Sequence, residues 1–132
     1  MDFTDVLKPG LEAEIADTVT DSNTASALGS GDLAVFATPA MIAIMEKAAL
    51  AVAAPHLPPG WSTVGTEVNI KHLSATPRNM KVRARAELTD IDGRALSFKV
   101  EAFDEAGKIG EGVHHRFIIE SEKFMSKTEG KK

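Results

Sequence analysis

The sequence predicts an α+β chain in which one antiparallel β-sheet wraps around a single central α-helix. Three observations lead there. Five segments alternate apolar and polar residues with a period of two, as half-buried strands do. One segment, 39–54, is rich in Ala, Met, Ile and Leu and apolar nearly all round, so it needs cover on more than one side. Asp92-Gly93 sits between two alternating segments and marks a hairpin, which makes the sheet antiparallel. A sheet with one face to bury and a single helix to cover it gives the layered arrangement.

Taken in order, residues 11–20 place Leu11, Ala13, Ile15, Asp17 and Val19 on one face and form the first strand. Residues 21–32 turn to Ser, Thr, Asn, Gly and Ala, ending in Gly29-Ser30-Gly31-Asp32, and read as a loop able to act as a flap. Thr38-Pro39 then opens the helix: a hydroxyl suited to an N-cap, and a Pro whose missing N–H costs nothing in the first turn. The helix stops before Pro55, and His56-Leu57-Pro58-Pro59-Gly60 connects onward. Residues 63–73 place Val64, Thr66, Val68, Ile70 and His72 on one face of the next strand. After a turn at 75–79, residues 80–90 alternate Met80, Val82, Ala84, Ala86 and Leu88 against charged neighbours, and Leu96, Phe98, Val100 and Ala102 continue the pattern on the returning strand. Ala106-Gly107 marks another turn before a last strand at 108–120. The chain reads as one domain over 1–124, followed by a charged tail, 125–132, frayed beyond Phe124.

The composition of the 132 residues excludes several functions. A formal net charge of −4 lacks the basic footprint of a nucleic-acid binder. The absence of Cys removes disulfides, thiol nucleophiles and Cys-ligated zinc, and suits an intracellular, cytoplasmic protein. The acidic start, Met1-Asp2-Phe3-Thr4-Asp5, is unlike a signal peptide, and Thr38, Pro39, Glu46 and Lys47 interrupt the apolar run 34–54, so no membrane partner is expected. No HxH or HExxH pattern points to a metal, and no phosphate loop, GxSxG or GxGxxG motif is present. A core built from Ala, Val, Ile and Leu, with one Trp and six Phe, suggests closely approaching backbones or a subunit interface that completes the burial.

Three residues stand out chemically. Glu46 shares its helix wheel with Pro39, Ile42, Leu50 and Ala53, so it reads either as the wet edge of the helix or as a carboxylate in an apolar cleft, fit for base or nucleophile work. Thr38 lies eight residues earlier, about 12 Å along the axis. Helical side chains tilt toward the N-terminus, so a small acyl group would fit between the two. His72 falls on the predicted core face as either a structural residue or a proton carrier, and of His114 and His115 one must point inward and the other outward.

These residues lie in recognisable surroundings. Thr38-Pro39-Ala40-Met41-Ile42-Ala43-Ile44-Met45-Glu46, the run from Val64-Gly65-Thr66-Glu67-Val68-Asn69-Ile70-Lys71-His72 through Pro77, Asp92-Gly93-Arg94, and Gly110-Glu111-Gly112-Val113-His114-His115-Arg116-Phe117 together resemble the hotdog-fold thioesterases of the fluoroacetyl-CoA thioesterase type. The resemblance spans about residues 8–124. It implies a hotdog fold, a homodimer or higher oligomer joined through its sheets, and an interface site that hydrolyses a small acyl-CoA, with coenzyme A as part of the substrate and no separate cofactor. It implies catalytic roles for Thr38, Glu46 and His72, and places Gly65 near the thioester. Thr38 and the Gly65 N–H would polarise the carbonyl, Glu46 would attack it or activate water, and His72 would transfer protons. Phe36, the aromatic nearest the loop before the helix, is expected to line the substrate site, and Arg78, Lys81 and Arg116 are the cations available for the CoA phosphates. Members that handle fluoroacetyl-CoA carry a Phe lid before the helix. Here that loop is Ala27-Leu28-Gly29-Ser30-Gly31-Asp32, which points to a broader acyl group. The competing readings are a non-catalytic acyl-CoA-binding protein and an enoyl-thioester hydratase; the hydratase would require a His at the start of the helix, and none occurs between 39 and 54.

Overall fold

Alternation with period two resolves into five antiparallel strands in the computed structural model, which describes residues 2–132. They are β1 (Glu12–Thr18), β2 (Trp61–His72), β3 (Lys81–Asp92), β4 (Ala95–Asp104) and β5 (Lys108–Glu120), in the order β1-β3-β4-β5-β2. The helices are α1 (Ala25–Leu28), α2 (Thr38–Ala53) and α3 (Ser121–Glu129). The loop of 21–32 therefore contains a single helical turn, capped by the Thr24 hydroxyl accepting from the Ala27 N–H and closed by Gly29 in the left-handed region. The charged tail is helical from Ser121 to Glu129.

Residues Thr38–His56 run as one helical stretch of 19 residues with mean hydropathy 1.2, and the sheet wraps that stretch as its core. Met41, Ile44, Met45, Ala48, Ala49, Val52 and Ala53 recur at helical spacing and are buried against Val82, Ala84, Ala86 and Leu88 of β3 and Leu96, Phe98, Val100 and Ala102 of β4. Ala on both surfaces lets the backbones approach, while Met41, Met45 and Phe98 supply bulk at roughly 1.5–3 kcal/mol each on burial. Gly110 serves the same end: a Cβ there would lie 2.6 Å from the Met41 sulfur, so glycine gives the Met41 side chain room against β5.

Helix α2 lies chiefly over β1 and β3. The β5–β2 side of the sheet is therefore less covered, and β2 is an outer strand whose far edge has no strand partner among the described residues. Strand β2 also departs from its expected face. Its pairing with β5 shifts between Gly65 and Glu67, a bulge that inserts one residue and reverses the alternation. Val68, Ile70 and His72 pair with His114, Gly112 and Gly110, and so share the helix-facing side with Thr63 and Gly65. Val64 instead pairs with the exposed Phe117 on the outer face.

Candidate active site

Two polar clusters line the less-covered side. The first forms at the start of α2. The segment leading into the helix is laced to the segment after β2: the Phe36 N–H donates to the Thr76 carbonyl at 2.9 Å, and Val35 bridges Pro77. This stitching sets Thr38 beside His72. Thr38 is the first helical residue and Ala37 occupies the N-cap position without a side-chain cap, so the expected capping role of Thr38 is not the one observed. Its hydroxyl is spent instead on His72, with Thr38 Oγ1 and His72 Nδ1 sharing a hydrogen bond of 2.7 Å. The other ring nitrogen, Nε2, is buried with no hydrogen-bond partner. Burial holds the His72 pKa below its ordinary value, with the Ser74 backbone pulling weakly the other way. A cleft of about 290 Å³ opens here, lined by Phe36, Thr38, His72, Leu73 and Ser74.

The second cluster lies two turns further along α2. Glu46 projects toward the bulge in β2 and is not enclosed by apolar groups as the helix wheel suggested; its side chain is 42% exposed and faces Arg116 and His114. Arg116 Nη1 stands 3.8 Å from the carboxylate and His114 Nε2 4.0 Å from it. Gly65 closes the cluster: a Cβ there would sit 2.9 Å from Glu46 Oε2 and 3.2 Å from His114, so glycine lets the carboxylate meet the strand backbone. Glu46, Gly65, Thr66, Val68 and His114 line a second cleft of about 290 Å³.

Arg116 is buried, which removes it from the cations available to CoA phosphates. Its Nε donates to the Thr63 hydroxyl at 2.8 Å, Nη2 to the Thr63 carbonyl at 2.9 Å, and Nη1 faces His114 Nε2 at 3.2 Å. That last contact assigns the tautomer of His114. Nε2 accepts from arginine, so the proton sits on Nδ1, which donates to the Glu67 carbonyl at 2.8 Å. Burial, reinforced by the Arg116 charge, keeps the His114 pKa low. His115 points outward and bonds Ser97. Arg78 lies on the surface, paired with Asp21 at 2.7 Å. Among the described residues, no group of three or more His, Asp and Glu is placed to hold a metal ion.

The structure thus joins Thr38 to His72, with Phe36 in the same cleft, and separately joins Glu46 to Gly65. The two clefts share no lining residue. His114 is the site residue that sequence reasoning did not single out; the only signal was the parity of the His114-His115 pair.

Both depressed histidines link stability to pH. The unfolded chain takes up protons as pH falls through about 6.5 while the folded chain resists, so stability is level above that pH and declines below it. The thermal midpoint should fall between pH 6.5 and 5, and less steeply in a His114→Gln variant. A midpoint insensitive to pH over that range would contradict the assignment.

A family model described as FlK, fluoroacetyl-CoA-specific thioesterase, matches residues 19–122. The fluoroacetyl-CoA thioesterase of Streptantibioticus cattleyicolor is 42% identical over 97 residues, covering 74% of this chain and 70% of its own length. A crystal structure of a point variant of FlK superposes with a TM-score of 0.89 at 34% identity, covering 96% of this chain and 98% of that one. That variant has also been crystallised with fluoroacetate and CoA. A hot-dog-like protein from Thermanaerovibrio acidaminovorans, at 20% identity and a TM-score of 0.90 over 99% of this chain and 97% of its own, shares the fold.

Proposed function

The chain belongs to the fluoroacetyl-CoA-specific thioesterase family, has the hotdog fold and is an acyl-CoA thioesterase; we propose that it cleaves a small acyl-CoA at a site built by two copies of the chain. Thr38 and His72 come from one copy, Glu46 and Gly65 from the other.

Distance supports the division. Gly65 and His72 occupy one strand, seven residues or about 20 Å apart, too far to touch the same carbonyl. The outer edge of β2 has no strand partner among the described residues, and Glu67, Val68 and Asn69 at its middle are exposed. An exposed strand edge is the natural place for a second copy to pair. If two β2 strands pair antiparallel about a twofold axis at Asn69, Val68 of each copy faces Ile70 of the other, and the extra residue of the bulge brings Gly65 of each copy opposite His72 of the other with both on the helix-facing side. The separate clefts then become two walls of one pocket.

In that pocket the Gly65 N–H and the Thr38 hydroxyl hold the thioester carbonyl, where donors aimed at a forming oxyanion have their largest effect. Glu46, backed by the Arg116 charge at 3.8 Å, either attacks the carbonyl carbon to give an anhydride that water opens, or takes a proton from the attacking water. The C–S bond breaks and CoA leaves as a thiolate, protonated through the Thr38–His72 pair. The observation that carries this reading is the Thr38–His72 bond, because it withdraws a helix-start hydroxyl from capping and couples it to a titratable ring. The cleft beside it, walled by Phe36 and Leu73, suits a short acyl chain.

Release of free thiol from short-, branched- and aryl-acyl-CoAs tests the proposal. Short acyl groups should turn over fastest, with a Thr38→Val variant losing about 10²-fold or more in kcat. Equal rates for Thr38→Val and wild type would remove Thr38 from the mechanism, and preference for long acyl chains would overturn the assigned substrate.

A further inference from the structure

We propose that the cleft between the β3–β4 turn and α3 binds the phosphorylated nucleotide end of the acyl-CoA, through Arg94, Lys123 and Lys127. This rests on the acyl-CoA reading above and adds a second point of recognition to it.

The starting observation is an arginine without a partner. The chain has five arginines. Arg78, Arg83, Arg85 and Arg116 each have a carboxylate within 4.0 Å, whereas among the described residues Arg94 has none. It is nonetheless held in place, with its guanidinium 4.9 Å above the Trp61 ring. An ordered, unpaired guanidinium presents a planar fork matched to phosphate oxygens.

The cleft it borders, about 220 Å³, is otherwise lined by Ile119, Glu120, Lys123, Phe124 and Lys127. Lys123 and Lys127 lie four residues apart on α3 and so share a face. Lys127 is unpaired among the described residues, and Lys123 meets Glu120 at 3.5 Å, an exposed pair weak enough to yield to a stronger anion. Three cations against one carboxylate run counter to a chain of net charge −4. Between the lysines Phe124, 37% exposed, offers a flat apolar surface on which adenine can stack. A nucleotide carrying several phosphates supplies both the anion and the ring.

The position also fits. Trp61, under Arg94, begins β2 four residues before Gly65, a span of about 13 Å. The pantetheine arm that links the thioester to the nucleotide covers such a distance, so one substrate can lie along β2 with its carbonyl at Gly65 and its phosphates at Arg94.

The test compares acetyl-CoA with S-acetylpantetheine, which lacks the nucleotide, in the full-length enzyme and in an Arg94→Gln/Lys123→Gln/Lys127→Gln variant. The expected result is a KM for acetyl-CoA raised about tenfold with kcat retained, and a ratio of acetyl-CoA to acetylpantetheine efficiency that falls by the same factor. Titration with free CoA should show affinity weakened about tenfold, with a smaller loss for dephospho-CoA. An unchanged ratio, or an equal loss on both substrates, overturns the proposal. Failure of the thioesterase reading looks different: wild type would release no thiol from either substrate, while the CoA titration would still report on the cleft.

Discussion

Chains carrying Glu46→Gln and chains carrying His72→Ala, each expected to lose about 10²–10⁴-fold in kcat alone, should recover about one quarter of wild-type turnover when co-expressed. The recovery follows from where the residues stand. If each site draws Glu46 from one copy and His72 from the other, a mixed dimer has one site with both defects and one with neither. Random pairing makes half of the dimers mixed, and half of their sites are intact. If instead each chain held its own complete site, no pairing would restore activity. Glu46 is 42% exposed, so the neutral amide tests the charge without opening a cavity. Absence of recovery in a confirmed mixed dimer, or a monodisperse monomer that retains turnover, would refute the shared site. The outcome bears on the fold as well, because it requires the free edge of β2 to be the contact between copies.

Much of this architecture was legible in residue order. The strands through Val82–Leu88 and Leu96–Ala102 alternate cleanly because one face packs on α2 and the other meets solvent, so burial and periodicity report the same thing. The start of α2 was also readable from Thr38-Pro39. What pattern could not show was tertiary. The bulge at Gly65–Glu67 reverses the parity of β2 by a single residue, and nothing in the alternation before or after it marks the reversal. The wheel of α2 describes the neighbours of Glu46 on its own helix, but Arg116 and His114 reach it from β5, about seventy residues later. The role of Thr38 likewise depends on His72 arriving from another strand, since a hydroxyl at a helix start is an adequate cap until a better partner is near. The short helix α1 is a single turn, too brief to show a helical period.

Replacing Arg116 with Met should lower stability by about 2–4 kcal/mol and the thermal midpoint by roughly 10 °C, with a further loss of activity beyond that of the stability change. Met fills much the same volume, so the effect reports on charge and hydrogen bonds and not on a cavity. The arginine is buried at 7% exposure, and its desolvated guanidinium titrates below its ordinary value, opposed by the Glu46 charge. It remains charged because its donors are used on the Thr63 hydroxyl and carbonyl and on His114 Nε2. Removing it orphans these acceptors at depth and leaves Glu46 without the nearest positive charge. The carboxylate would then move away from Gly65, and kcat should fall more than KM rises. Arg116→Lys separates the two effects: an ammonium keeps the charge near Glu46 but has no planar fork to bridge Thr63 and His114, so it should recover part of kcat and little of the thermal midpoint. A Met variant as stable and active as wild type would show that neither the fold nor Glu46 depends on the Arg116 charge.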